Sequence, residues 1–264
     1  MRRALGKRVV VTSSTRGIGR GVAETFLRAG AKVFIGSRNP EAVRETLESL
    51  RKISPAVWGI TVDMTSLESV GRFSREARET LGGIDVLIIN SGNPSNEPAT
   101  FFETTMEDWI QSVNLFLLSP IKLIREMAED MMKGKWGRIF FLSSYTVKEP
   151  KDFFSLADVS RSPLIQLTKI LGRELGPFNI TVNTILMGTF DSEGARDSIS
   201  KLAKRRGQPF EKIWLEEVVG PVPVGRIGDS IKDLGALLLF LTSEEGSYIT
   251  GSYIVADGGI TQAV

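Results

Sequence analysis

The chain contains no cysteine and no histidine. The first absence excludes disulfides, thiolate nucleophiles and cysteine-based metal sites. The second removes the commonest general base and a principal zinc ligand, and with them the serine–histidine hydrolases, so no metal site is expected. Tyrosine is scarce, with three in 264 residues. Acid–base work must therefore fall to Tyr, Lys, Asp, Glu or a hydroxyl held beside one of them. No apolar run approaches the roughly 18 residues of a membrane-spanning helix. The basic N-terminus is followed only by Val9-Val10-Val11, too short for the apolar region of a signal peptide. A cytoplasmic protein without a membrane partner is expected. Charge of one sign is also lacking: the net charge is +2 and basic residues are interleaved with acids, so no nucleic-acid footprint is visible. The densest basic spot, Lys201, Lys204, Arg205 and Arg206, reads as a solvated helix face sooner than as an anion site.

What is present is an ordinary globular composition, 42% apolar and 24% charged, enough for a substantial core. Short β-branched runs at residues 8–12, 32–36, 57–63, 85–90, 138–143, 181–186 and 252–256 read as buried strands. Between them, residues 17–29, 40–53, 66–81, 106–132, 156–175 and 230–241 read as helices. Gly30 sits where a C-cap glycine would, Pro40 where a first helical turn tolerates proline, and Pro120 predicts a bend. Strand–helix alternation with continuous apolar strands predicts an α/β fold: one domain, residues 1–264, with a doubly wound parallel sheet of about seven strands and helices on both faces. The polar stretch at 189–223 interrupts the alternation beyond a strand's carboxyl end, where a substrate lid would sit. Its Phe190, Phe210, Trp214 and Leu215 suggest an apolar wall.

After the first strand comes Thr12-Ser13-Ser14-Thr15-Arg16-Gly17-Ile18-Gly19, leading directly into a helix. Glycines let the backbone approach a pyrophosphate, and the free N–H groups and dipole of a helix start stabilise its charge. The second strand ends Gly36-Ser37-Arg38-Asn39. A carboxylate there would bind the adenosine ribose of NAD; Arg38, with Arg16 in reach of the same region, would meet a 2′-phosphate instead. The pattern favours NADP over NAD.

In motif order over essentially its full length, the chain resembles the short-chain dehydrogenase/reductase family, most closely its 3-oxoacyl-carrier-protein-reductase-like branch. The family's T-G-x-x-x-G-x-G is matched by Thr12 to Gly19 with Ser13 in place of the first glycine. Asn90-Ser91-Gly92 resembles its N-N-A-G, Asn114 its helix asparagine, and Ile180-Thr181-Val182-Asn183 the strand before its nicotinamide loop. Met187-Gly188 stands for Pro-Gly, and Tyr248 to Gly251 with Asp257-Gly258-Gly259 resembles the C-terminal signature. The resemblance implies a Rossmann-like fold and a cofactor bordered by Ser13, Ser14, Arg16, Gly17, Ile18, Gly19, Arg38, Asp63, Met64, Asn90, Gly92 and Gly188. It also implies hydride transfer to a small carbonyl substrate, or from an alcohol. The helices at 106–132 and 156–175 would pack between subunits of a dimer or tetramer.

The catalytic pattern departs from the family's. Ser144 matches the serine that orients the substrate oxygen. Counting back without gaps from Ile180 places the family's tyrosine at Ala157, thirteen residues after Ser144, and its lysine at Arg161. Ala157 has no proton to give. Arg161 can still donate to ribose hydroxyls, but a pKa above about 12 bars it from shuttling protons. Tyr145 is the tyrosine nearest the site, and it reaches the site only if the chain has left the strand by then, because adjacent strand residues face opposite ways. Lys148, Lys151 and Asp158 are near it in sequence. The segment Asp158-Val159-Ser160-Arg161 resembles an atypical branch of the family with a modified helix start. The expected site is Ser144, Asn114, Tyr145 and Arg161. Three functions are consistent with it: an oxidoreductase with a non-standard proton donor, a non-catalytic dinucleotide-binding protein, or another chemistry such as dehydration or epimerisation on the same fold.

Overall fold

The computed structural model describes residues 4–263. Seven strands form one parallel sheet in the order β3-β2-β1-β4-β5-β6-β7. They are β1 (Arg8–Val11), β2 (Lys32–Ser37), β3 (Val57–Thr61), β4 (Val86–Ile89), β5 (Gly137–Ser144), β6 (Ile180–Met187) and β7 (Ser252–Ala256). In β1, Val9 pairs with Val33 of β2 on one side and Val86 of β4 on the other. Strand order therefore reverses at β1/β4, which opens a crevice beyond the strands' carboxyl ends.

Both faces of the central strands are buried, which is why these strands are continuously apolar rather than alternating. Val9, Val11 and Phe140 join one core with Phe26 and Leu50; Val10, Leu87 and Phe141 join the other with Phe73 and Leu123. Helices α1 (Gly17–Arg28) and α2 (Pro40–Arg51) contribute to the first core, and α3 (Leu67–Leu81) to the second. The cap signals act as read: Pro40 occupies the first turn of α2, and Gly30 follows α1 at φ +88°.

The expected helices at 106–132, 156–175 and 230–241 are each interrupted. The first consists of α4 (Met106–Val113), a π turn (Asn114–Leu118) and α5 (Ser119–Gly134). Proline cannot donate an N–H, so Pro120 sits in the first turn of α5, and the Ser119 N–H reaches back to Asn114 O. The wide turn thus precedes the proline. The second divides at Pro163 into α6 (Ser155–Arg161) and α7 (Leu164–Leu175). The third opens with a π turn (Ser230–Gly235) before α10 (Ala236–Thr242). The 189–223 segment contains α8 (Glu193–Arg206), α9 (Phe210–Ile213) and a π turn (Trp214–Val219). Strands β3 and β4 are shorter than the apolar runs that announce them, because residues 62–63 and 90 already turn towards the crevice. Among the described residues no helix is long and apolar enough to cross a membrane.

Candidate functional site

The Thr12–Gly19 loop is tied down on both sides by its own polar residues. Thr12 Oγ1 donates to Asn90 O (2.6 Å) and accepts the Asn90 N–H (3.0 Å), while Asn90 Nδ2 donates to Ser13 O (3.0 Å). Ser14 Oγ donates to Val11 O (2.7 Å) and accepts the Gly36 N–H (3.1 Å), and the Ser14 N–H reaches Gly36 O. Ser14 therefore shapes the loop with every polar group it has. The N–H groups of Gly17, Ile18 and Gly19 open α1, whose N-cap Arg16 supplies no side-chain bond, so they face outward with the helix dipole behind them. A Cβ on Gly19 would meet the Ser13 carbonyl oxygen, and Asn90 Nδ2 at 2.8 Å. Gly188, beyond β6, lies so close to Asp257 that a Cβ would stand 2.7 Å from its Cα.

Ser13 replaces the family's first glycine at φ +46°, a left-handed conformation that costs an L-residue roughly 1–2 kcal/mol. Ser13→Gly is expected to stabilise the chain by up to about 1 kcal/mol, part of the gain being offset by glycine's unfolded-state entropy. A higher urea midpoint checks this; an unchanged or lower one contradicts it.

Near this loop, Arg38 is exposed beyond β2, and Arg16 is exposed, 3.5 Å from Asp197 of α8. Asp63 Oδ1 accepts the Thr65 N–H and hydroxyl in a tight turn (2.9 and 2.8 Å). Met64 is buried, its carbonyl taking the Ser119 hydroxyl at 2.7 Å. Asn114, opening the π turn, donates to Thr65 O at 3.2 Å. The π turn and the start of α5 thus hold the loop at residues 63–65 through Asn114 and Ser119. Gly92 stands in open space beyond β4.

At the other end the chain leaves β5 at Ser144 and enters a 3₁₀ turn, Tyr145–Val147. This meets the condition for Tyr145 to escape strand alternation. Burial, reinforced by Glu149 and Asp158, pushes its hydroxyl up to about 12, opposite to the shift a neighbouring lysine would impose. Lys151 Nζ lies 5.6 Å from its ring centre.

Ser144 belongs to a network. It accepts the Thr146 N–H (3.2 Å) and lies 2.9 Å from Thr146 Oγ1, which also contacts Asp158 Oδ1. Arg161 Nη2 donates to Thr146 Oγ1 (3.0 Å) and to Asp158 Oδ1 (2.7 Å), and the Lys151 N–H reaches Asp158 Oδ2 (3.0 Å). Asp158 is 1% exposed. Thr146 has one hydroxyl proton, and the buried carboxylate is its strongest acceptor. The Ser144 proton is then left for Thr146 Oγ1 or for a substrate oxygen. The guanidinium lies 5.6 Å from the centre of the Phe116 ring, and its Nε is buried with no protein partner.

Two members of this region escape sequence reasoning. Thr146 carries no motif. Glu97 precedes Pro98 outside every motif, yet it is 6% exposed. Its Oε1 accepts the N–H of Ala157 at 3.0 Å. Burial pushes its carboxyl up to about 7, against the Ala157 N–H and the charge of Arg161.

The 189–223 segment leans on the crevice. Asn93 Nδ2 donates to Ser198 Oγ (2.9 Å) and Gly194 O (3.3 Å), Arg205 pairs with Glu103 (2.7 Å), and Ser192 closes on Gly17. The expected apolar wall is only partly there. Phe190 is buried in the core against Gly228, and Phe210 stacks on Trp214, while Leu215 is exposed.

Known proteins resemble the chain over nearly its full length. Residues 12–261 match the family model described as enoyl-(acyl carrier protein) reductase. The 3-oxoacyl-[acyl-carrier-protein] reductase of Aquifex aeolicus is 30% identical over 259 residues, 97% of each chain. An uncharacterized oxidoreductase of Thermotoga maritima is 31% identical, over 97% of this chain and 96% of that one. Among solved structures, L-sorbose reductase from Gluconobacter frateurii, complexed with NADPH and L-sorbose, superposes with a TM-score of 0.91 at 28% identity over the whole of both chains. With a match of this length and relatives that cover it end to end, the chain belongs to the short-chain dehydrogenase/reductase family.

Proposed function

We propose that the chain is an NADP-dependent oxidoreductase that acts on a small carbonyl or secondary-alcohol substrate with a proton donor other than the family's tyrosine. The observation that carries this reading is the Ser144–Thr146–Asp158–Arg161 network, which keeps the oxygen-orienting serine anchored although the tyrosine and lysine positions hold Ala157 and Arg161. Solved relatives complexed with NADPH, or described as NADPH dependent, support the choice of cofactor.

The residues present fit such a cofactor. The cradle at Gly17 and Gly19 is one that a Cβ would fill, and the orphaned Arg161 Nε is a buried donor without a protein acceptor. The N–H groups of residues 17–19 would hold the pyrophosphate, Arg16 and Arg38 the 2′-phosphate, and Asp63 and Met64 the adenine. Ser13, Asn90, Gly92 and Gly188 would border the remainder, and Arg161 the ribose. When bound, the nicotinamide supplies or accepts the hydride. Ser144 orients the substrate oxygen by donating its hydroxyl proton, and Asn114 and the Asp158–Arg161 pair hold the surrounding backbone. Tyr145, a weaker acid than an ordinary tyrosine, lines this end of the site. The whole chain acts as one domain, with α8 and α9 as the substrate lid. The exposed Phe101, Phe102, Met106 and Ile110 around α4 suit burial in a homodimer or homotetramer.

NADPH oxidation measured against ketones, 3-oxoacyl thioesters and aldoses tests the reading. Ser144→Ala is expected to lower turnover by roughly 10²–10³-fold, as loss of one donor to a developing oxyanion does, with NADPH affinity unchanged. Ala157 and the arginine locked at 161 favour a second reading, a dinucleotide-binding protein without turnover. That reading prevails if NADPH binds, no substrate turns over and Ser144→Ala changes nothing.

A further inference from the structure

The reductase reading leaves the proton unassigned, and this inference rests on that reading. The tyrosine that would give it is replaced by Ala157, which brings a methyl group and no hydroxyl. From the other side of the crevice, the loop after β4 crosses to this point. Its Ala99 N–H bonds to Phe153 O at 2.9 Å, two residues before α6 begins. That bond presses the loop against the start of α6 and brings Glu97 to the backbone of residue 157 itself, with Oε1 3.0 Å from its N–H. The charged groups facing the carboxyl are Arg161 and Asp158, both of α6 and both members of the Ser144 network. Glu97 is thus an ionisable group buried against the backbone of the residue that stands where the family keeps its acid.

We propose that Glu97 supplies the proton that the family draws from the missing tyrosine. In reduction the carbonyl carbon takes a hydride from the reduced nicotinamide while the oxygen takes the proton of the Glu97 carboxyl group. The product is the alcohol, the oxidised nicotinamide and a Glu97 carboxylate, which regains its proton from solvent. Oxidation runs the same transfers backwards. The N-cap of α6, Phe154, supplies no side-chain bond, so Glu97 also caps this helix, a role that a neutral acceptor such as glutamine fills equally well. Burying an ionisable carboxyl group is costly and suits an acid that must change protonation state. A carboxyl group held near 7 is matched to proton transfer at neutral pH.

The test compares the full-length wild-type chain with Glu97→Gln and Tyr145→Phe. Glutamine keeps the acceptor for the Ala157 N–H, so Glu97→Gln is expected to fold and to bind NADPH, read by fluorescence titration. Its turnover should fall by roughly 10²–10⁴-fold, the usual worth of general acid catalysis. Wild-type reduction should decline as pH rises through about 7 while oxidation increases, and both trends should vanish in Glu97→Gln. A second readout needs no turnover. With a folded-state value of about 7 above the ordinary 4.5, the folded chain holds this proton more tightly than the unfolded chain. Wild-type stability should therefore fall as pH rises from about 4.5 to about 7, relative to Glu97→Gln. Turnover that survives Glu97→Gln, or is lost in Tyr145→Phe instead, overturns this proposal and leaves the reductase reading standing. A wild-type chain that binds NADPH and turns over none of the substrates overturns both.

Discussion

Asp158→Ala is expected to destabilise the chain by about 3–5 kcal/mol, the cost of leaving one partner of a buried ion pair alone. The carboxylate serves three donors at once: Arg161 Nη2, the Thr146 hydroxyl and the Lys151 N–H. Its removal strands a guanidinium whose Nε is already without a protein partner. The Lys151 amide loses its acceptor, and an unsatisfied buried donor adds its own penalty. For a chain of this size each kcal/mol moves the melting midpoint by roughly 2–4 °C, so a drop on the order of 10 °C should be seen. The double variant Asp158→Ala/Arg161→Met should recover a large part of the loss, because removing both charges costs less than removing one. Urea denaturation of the two variants checks this. An Asp158→Ala chain within about 0.5 kcal/mol of wild type, the ordinary range for a surface substitution, would show that the pair is not buried in solution.

Gly19→Ala should act on cofactor binding with little need to unfold anything else. Two of the three atoms that its Cβ would meet belong to the loop's own backbone, Ser13 O and Ser14 Cα, and the third is Asn90 Nδ2. Backbone cannot rotate aside as a side chain can, so the loop must move away from α1. The bond from Asn90 to Ser13 O, which holds the loop to β4, would be strained or lost. A displacement of about 1 Å at a positioned group costs on the order of 10²-fold, and the overpacking itself about 1–3 kcal/mol. NADPH titration should show weakening of about that factor. Gly134→Ala, at the end of α5 away from the crevice, meets nothing within 4 Å; it serves as the control and should bind as wild type does. Equal affinities for the two variants would mean that the loop is not the cofactor cradle.

The two variants differ in how far their rationale could be read from sequence. Gly19 is legible because its role is local: a strand, a turn and a helix start within twelve residues, with chemistry that follows from backbone N–H groups and lack of a side chain. The same locality made Pro40, Gly30 and the strand runs legible. Asp158 was recognisable only as a neighbour of Arg161. Its other partners, Thr146 and Lys151, depend on how the turn after β5 folds back over α6. Pro120 announced the break in 106–132 but not its place, because the wide turn at Asn114–Leu118 precedes the proline, whereas the break at Pro163 was missed because it ends a helix inside a continuous apolar pattern.

By itself the sequence determined the parallel sheet, the glycine loop and the arginines beside it, and it led to the expectation that Ala157 and Arg161 stand at the usual tyrosine and lysine positions. Those features rest on periodicity, residue type and spacing along the chain. Only the tertiary structure brings Glu97 against residue 157. Glu97 and Ala157 lie 60 residues apart, on a loop and a helix that meet beyond the carboxyl ends of the strands, where the Ala99 N–H bonds to Phe153 O. No local pattern encodes that contact, because the properties that make Glu97 chemically useful, its burial and its neighbours, come into being only when the chain has folded.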